Sequence, residues 1–202
     1  MSKFKTAILT SQSEYLERGS RFIGYLKPIE SAADFKNFLK NIRKEHKSSS
    51  HVCNAYRFFN NKILEEKGAD DGEPSGSAGL PILNELKRYD LVNVGAFVVR
   101  YFGGKKLGVP GLVHCYSESI RLCISKTKII SWEPTKTFLI THGYSNVSKI
   151  DFLINKHGIK LLNRDFNLYI DSTIEIKEDI VKDFKADIAQ ERLTNISINS
   201  FK

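Results

Sequence analysis

Residues 70–116 constrain this chain more than any other stretch. The segment reads A-D-D-G-E-P-S-G-S-A-G-L-P-I-L around its start and R-Y-F-G-G-K-K-L-G-V-P-G-L-V-H-C-Y at its end. Two glycine-rich loops each run into a helical pattern. Residues 77–88 place Leu80, Ile82, Leu83 and Leu86 on a helix. Between the loops, residues 92–101 are nearly all apolar and rich in β-branched side chains, the mark of a central strand. After the second loop a helix is expected over 111–126. Leu112, Tyr116, Ile120 and Cys123 share one side of it, and His114, Glu118 and Arg121 the other.

The flanking sequence completes a mixed α+β reading. Strands are expected at 4–8 and 21–28, with a turn over 14–20. Ser31 caps a helix whose first turn carries Asp34 in the capping-box position and whose inner face is Phe35, Phe38, Leu39 and Ile42. Lys36, Lys40, Arg43, Lys44 and Lys47 form its other face, a solvated stripe or part of a polyanion surface. Residues 51–59 read as a strand, and Asn60-Asn61 as a hairpin turn into 62–64. Ser131-Trp132-Glu133-Pro134 reads as a boundary, dividing the chain into domains 1–134 and 135–202. Beyond it, strand 137–141, helix 147–157, strands 159–163 and 168–176, helix 178–190 and strand 195–201 give the order βαββαβ of a ferredoxin-like domain.

Charge narrows the partners. The chain of 202 residues has a net charge of +8, of which residues 1–134 carry +7 and residues 135–202 carry +1. This bias favours an anionic partner for the first domain. Three cysteines without a C-x-x-C pair fit a reducing compartment, and no apolar run approaches the ~20 residues that span a bilayer, so a cytoplasmic protein with no membrane partner is expected.

The second loop supplies the chemistry for such a partner. Gly103, Gly104, Gly108 and Gly111 let backbone approach a ligand, and the following helix offers free N–H groups to an anion. Lys105 and Lys106 add charge, Arg100 at the strand end is expected to project to the same edge, and His114 lies further along the helix. A tight packing loop is the alternative use of these glycines. Neither G-x-x-x-x-G-K-[ST] nor G-x-G-x-x-G after a strand occurs, so no nucleotide cofactor is expected.

The first loop is acidic. Asp70, Asp71 and Glu73 with Ser75 and Ser77 offer hard oxygen ligands. The favoured reading is that they organise the loop by accepting backbone N–H bonds, with Ser77 as the N-cap of the helix after it. Ser75 and Ser77 lack a nucleophile-elbow sequence, and His51, Cys53, His114 and Cys115 match no zinc spacing. No metal and no catalytic residue is therefore expected. Two other readings stay open: a metal-assisted hydrolase using Asp70, Asp71 and Glu73, and a protein-interaction module.

These same residues carry a family resemblance. A-D-D-G-E-P-S-G-S-A-G-x-P-I-L followed by V-V-R-Y-F-G-G-x-K-L-G-x-x-G-L-V-x-x-Y resembles the IMPACT family in its bacterial branch, as do Phe22, Ile23 and H-V-C-N-A-Y from His51. The resemblance covers roughly residues 4–134. It implies an N-terminal domain folded like the second domain of a small-subunit ribosomal protein and domain IV of elongation factor G. It also implies a ferredoxin-like C-terminal domain similar to domain V of that factor. Those fold relatives bind RNA or work on the ribosome, so the resemblance implies RNA or the translation machinery as partner and a role in regulating translation. Pro110 and His114 depart from the family, which commonly has glycine and a basic residue there.

Overall fold

Local sequence sets where each element begins and ends in the computed structural model, which describes residues 4–60, 63–191 and 196–200. The chain divides into two units, Met1–Trp132 and Glu133–Lys202. In the first, β1 (Phe4–Ala7), β2 (Ser11–Glu17), β3 (Ser20–Pro28), α1 (Ala32–Glu45), β4 (His51–Asn60) and β5 (Ile63–Ala69) are followed by α2 (Gly79–Arg88), β6 (Val94–Tyr101), α3 (Gly108–Ser125) and β7 (Ile129–Trp132). Of the expected Asn60-Asn61 turn, Asn61 lies outside the described residues, but β4 and β5 do pair antiparallel.

The main sheet has the order β2-β3-β6-β4-β5, with every pairing antiparallel. Both edges of β6 are paired, which explains its near-continuous apolar run. The pleat sends alternate residues to opposite layers. Phe22 and Leu26 of β3 and Val94, Ala96 and Val98 of β6 pack against α2 and α3. Ile23 and Tyr25 of β3 and Phe97 and Val99 of β6 pack against α1. Helix α1 starts because Ser31 Oγ accepts the Asp34 N–H at 3.1 Å, while Asp34 Oδ2 accepts the N–H of Glu30 rather than that of Ser31.

Three sequence expectations are corrected. Residues 14–20 were expected to turn, yet Ser11–Glu17 is a strand. Its inward positions are serines rather than apolar residues: Ser11 Oγ donates to the Cys123 carbonyl at 2.8 Å and Ser13 Oγ to the Ser119 carbonyl at 2.7 Å. The division between the units falls after Trp132, and just before it β7 pairs with β1, with Trp132 stacked on Phe59 at a centroid distance of 4.8 Å. Helix α2 starts at Gly79, and its N-cap Ala78 makes no side-chain cap bond, so Ser77 is not the cap. Helix α3 starts at Gly108, three residues early, because a proline such as Pro110 is tolerated in a first turn that needs no N–H from it.

The second unit runs β8 (Thr135–His142), α4 (Val147–Lys156), β9 (Lys160–Phe166), β10 (Ile170–Lys177), α5 (Val181–Gln190) and β11 (Ile196–Ser200). Residues 195 and 201 of the last expected strand lie outside the described residues. The sheet order β11-β8-β10-β9, antiparallel throughout, is the ferredoxin-like arrangement. Ile140, Ile150, Leu153, Ile174 and Phe184 fill its core.

Strand β2 is held to α3 through two hydroxyls, which sets a stability test. The double change Ser11→Ala with Ser13→Ala should lower unfolding stability by about 2 kcal/mol, about 1 for each bond lost. Urea denaturation would show a shifted midpoint at unchanged slope.

Candidate functional site

Antiparallel pairing brings the chemistry-bearing loops to one end of the main sheet. His51, which opens β4, faces Arg100 near the end of β6, and Arg21 of β3 faces Tyr101. Helix α1 runs back to the same end, where His46 at its C-cap bonds the Tyr101 hydroxyl through Nδ1 at 2.9 Å. The acidic loop after β5, the lysine loop after β6 and the last turn of α1 therefore surround the mouth of β4 and β6.

The acidic loop is clamped from within. Asp70 accepts the N–H groups of Gly76, Ala78 and Gly79 at 2.9, 3.0 and 2.7 Å, so a carboxylate nine residues upstream caps α2. Burial raises the Asp70 pKa, but those three N–H groups outweigh it and hold the carboxyl below its ordinary value. Asp71 accepts the Val52 N–H at 2.7 Å and pairs with Arg43 at 2.6 Å. From β4, His51 Nδ1 bonds the Asp71 carbonyl at 2.8 Å and Cys53 Sγ the Asp70 carbonyl at 2.9 Å. Ser77 donates to the Pro74 carbonyl at 2.6 Å, while Ser75 is exposed.

Glu73 is the buried centre. Its Oε1 receives Arg100 Nη1 at 2.6 Å and the Tyr116 hydroxyl at 2.8 Å, and His51 Nε2 lies 3.9 Å away. Arg100, expected to reach a phosphate, is only 5% exposed. It stands at an inward position of β6, in phase with Val94, Ala96 and Val98, so it needs an internal counter-charge. Burial, and then the nearby Cys53 and Glu73, push the Tyr116 pKa up.

The lysine loop divides its glycines by task. Gly103 serves packing, since a Cβ there would lie 1.9 Å from the Gly19 carbonyl carbon. This corrects its assignment to ligand approach. Gly104 and Gly108, at φ +83° and +71°, give the loop the left-handed turns it needs on either side of Lys105 and Lys106. Both lysines are exposed and make no ion pair among the described residues. Gly111 packs one turn into α3 against Leu107. No side chain caps the α3 N-terminus, which leaves its first N–H groups available. His114 does not join this group: it turns to β2, with Nε2 3.3 Å from the Tyr15 hydroxyl.

Between the two loops lies a cavity of about 450 Å³. Pro74, Phe102, Leu107, Val109 and Leu112 supply apolar walls, and His51, Glu73, Arg100 and Lys106 the polar ones. Phe102 is 50% exposed and carries the Arg100 guanidinium over its ring, 5.4 Å from the centroid. Sequence reasoning passed over His51, Phe102 and Tyr116 as site residues. The signal for Tyr116 was a hydroxyl on the buried face of α3, which requires a partner.

The acids do not converge. Asp70 is saturated by backbone, Asp71 by Arg43 and Val52, Glu73 by Arg100 and Tyr116. Among the described residues no three His, Cys, Asp or Glu side chains are grouped to hold a metal ion. Cys53 is buried, and its burial pushes the thiol pKa up to about 12, so beside His51 it stays protonated at neutral pH.

Two outcomes follow for stability. Glu73→Ala strands the Arg100 guanidinium in the interior and should cost about 3–5 kcal/mol in urea unfolding. Asp70 contributes stability above its ordinary unfolded pKa and loses it as pH falls through the depressed folded value. Asp70→Asn should therefore cost about 1–2 kcal/mol at pH 7 and flatten the acid limb of a stability–pH curve.

No helix among the described residues is long and apolar enough to cross a membrane. A crystal structure described only as that of a hypothetical protein superposes with a TM-score of 0.67 at 24% identity, covering 100% of this chain and 98% of that one, so the two-unit fold is shared across its length. The IMPACT family member YvyE of Bacillus subtilis is 31% identical over 169 residues, 83% of this chain and 77% of YvyE. The IMPACT family member YigZ of Escherichia coli is 29% identical over 171 residues, 84% of each. The Impact N-terminal domain matches residues 18–124, a span that holds both loops, the buried Glu73–Arg100 pair and the cavity between them. With that domain matched over more than half of this chain and YvyE aligned with 83% of it, the chain belongs to the IMPACT family.

Proposed function

We propose that the first unit binds RNA without catalysing a reaction on it, and that the protein acts on the translation machinery in the cytoplasm. The observation that carries this reading is the exposed Lys105–Lys106 pair, mounted between two left-handed glycines beside an uncapped helix start. Lysines on a mobile stem suit sequence-independent phosphate contact. They are not isolated. Lys36, Lys40 and Lys44 are exposed along α1 and Lys47 just after it, and the last turn of that helix ends beside Tyr101. Cations spread over a length of surface match an extended anion better than a single phosphate group. The resemblance of the family fold to ribosome-associated domains supports the same reading. Against a hydrolase stands the commitment of Asp70, Asp71 and Glu73 to partners inside the fold.

Phosphate contact has a defined signature. Filter binding of single-stranded RNA should show affinity falling steeply between low and moderate salt. Lys105→Glu with Lys106→Glu should weaken binding and reduce the slope of log affinity against log salt by about 1.4, about 0.7 for each lost contact. Absence of binding at low salt, or an unchanged slope in the double variant, would refute the reading.

A further inference from the structure

We infer that the cavity between the two loops takes one unstacked nucleobase, so that the surface engages single-stranded RNA through a base as well as through phosphates. This rests on the RNA reading and deepens it. At about 450 Å³ the cavity falls within the range of small-ligand pockets, about 300–1,000 Å³. Its walls suit a planar ring. Phe102 stands half exposed at the rim, with the Arg100 guanidinium backing the ring, and Leu107, Val109 and Leu112 offer aliphatic surface. Aromatic side chains of this kind stack single-stranded bases with little regard to sequence.

The polar groups inside select what enters. His51 Nδ1 lies 2.8 Å from the Asp71 carbonyl, which only accepts, so Nδ1 carries the proton and Nε2 of the neutral ring presents a lone pair. Glu73 Oε1 lies 3.9 Å from that nitrogen but already accepts Arg100 Nη1 and the Tyr116 hydroxyl, so the acceptor left to the cavity is His51 Nε2. The group that complements it is an N–H donor, such as the amino or ring N–H edge of a nucleobase. Outside, the order reverses. Lys106 and the uncapped start of α3, Gly108 and Val109, line the rim. An acceptor and apolar walls within, a cation and free N–H groups without: this matches a nucleotide whose base points in and whose phosphate stays at the mouth. A base held in a duplex has its edge occupied and its faces stacked, and cannot enter.

The test uses fluorescence anisotropy with the full chain and three labelled probes of equal length: a single-stranded RNA, the same strand made abasic, and the strand annealed to its complement. The single strand should bind about tenfold more tightly than the abasic strand. Phe102→Ala should erase that difference while keeping the salt slope, and Phe102→Trp should preserve it. Annealing should remove the part of the affinity that depends on Phe102. Equal affinity for abasic and complete strands, or a Phe102→Ala variant that binds like the parent, would overturn the base pocket and leave RNA binding intact. A free mononucleotide that binds as tightly as the strand would overturn it too, by showing that the cavity serves a small molecule. Failure of every strand to bind at low salt would overturn this inference together with the RNA reading.

Discussion

The ion pair between Glu73 and Arg100 is the contact on which the rest of the site depends. Both groups are buried, at 8% and 5% exposure, and taking two charges out of water costs more than an apolar pair of the same volume would. What the pair provides is position. One carboxylate oxygen gathers a loop, a central strand and a helix, since Arg100 comes from β6 and Tyr116 from α3. Loop backbones have few intrinsic constraints, and here the acidic loop cannot move away from β6 without stranding a guanidinium. The same three elements supply part of the cavity wall, so the pair holds one side of the cavity against the other.

Arginine and lysine are used differently around the candidate site. Arg57 and Arg100 bond carboxylates from buried positions, at 3.0 and 2.6 Å, while Arg43, Arg121 and Arg164 pair nearer the surface, at 2.6, 2.6 and 2.5 Å. A planar fork that pairs geometrically with a carboxylate suits those sites. Lys36, Lys40, Lys44, Lys47, Lys105 and Lys106 are exposed and make no ion pair among the described residues. The exposed positive charge nearest the cavity is therefore lysine charge, and the acids of the nearby loop are held by partners of the fold. A count of charges in the sequence cannot make this separation, because it weighs Arg100 and Lys105 alike.

Much of the architecture was readable because hydrophobic periodicity reports which side of an element is buried. The central strand, α1, α2 and the βαββαβ order all rest on that signal. Strand β2 escaped it because Ser11 and Ser13 face inward and are satisfied by carbonyls of α3, a long-range bond that leaves no local trace. The cap of α2 escaped for a related reason: Asp70 reaches it across a loop, whereas capping rules look only at the adjacent residue. For Arg100 the information was present. Its place two residues beyond Val98 in a strand buried on both faces assigns it to the interior, and a buried cation requires an acid partner. The apparent phosphate ligand and the apparent loop organiser were two halves of one pair.

The direction in which the site's groups are perturbed bears on what the site is for. General acid–base catalysis is best served by a group whose pKa lies near neutrality. Asp70 is moved down, while Cys53 is moved up to about 12 and Tyr116 is moved up as well, so each is driven away from the range in which it would exchange protons at pH 7. Such groups hold one protonation state through folding and binding alike. A scaffold gains from that constancy, because the loop these groups hold keeps its shape through small shifts in pH. His51 beneath the cavity and Lys106 at its mouth sit on that scaffold, in a pattern of polarity suited to a ligand that is itself polar at one end, planar in the middle and anionic at the other.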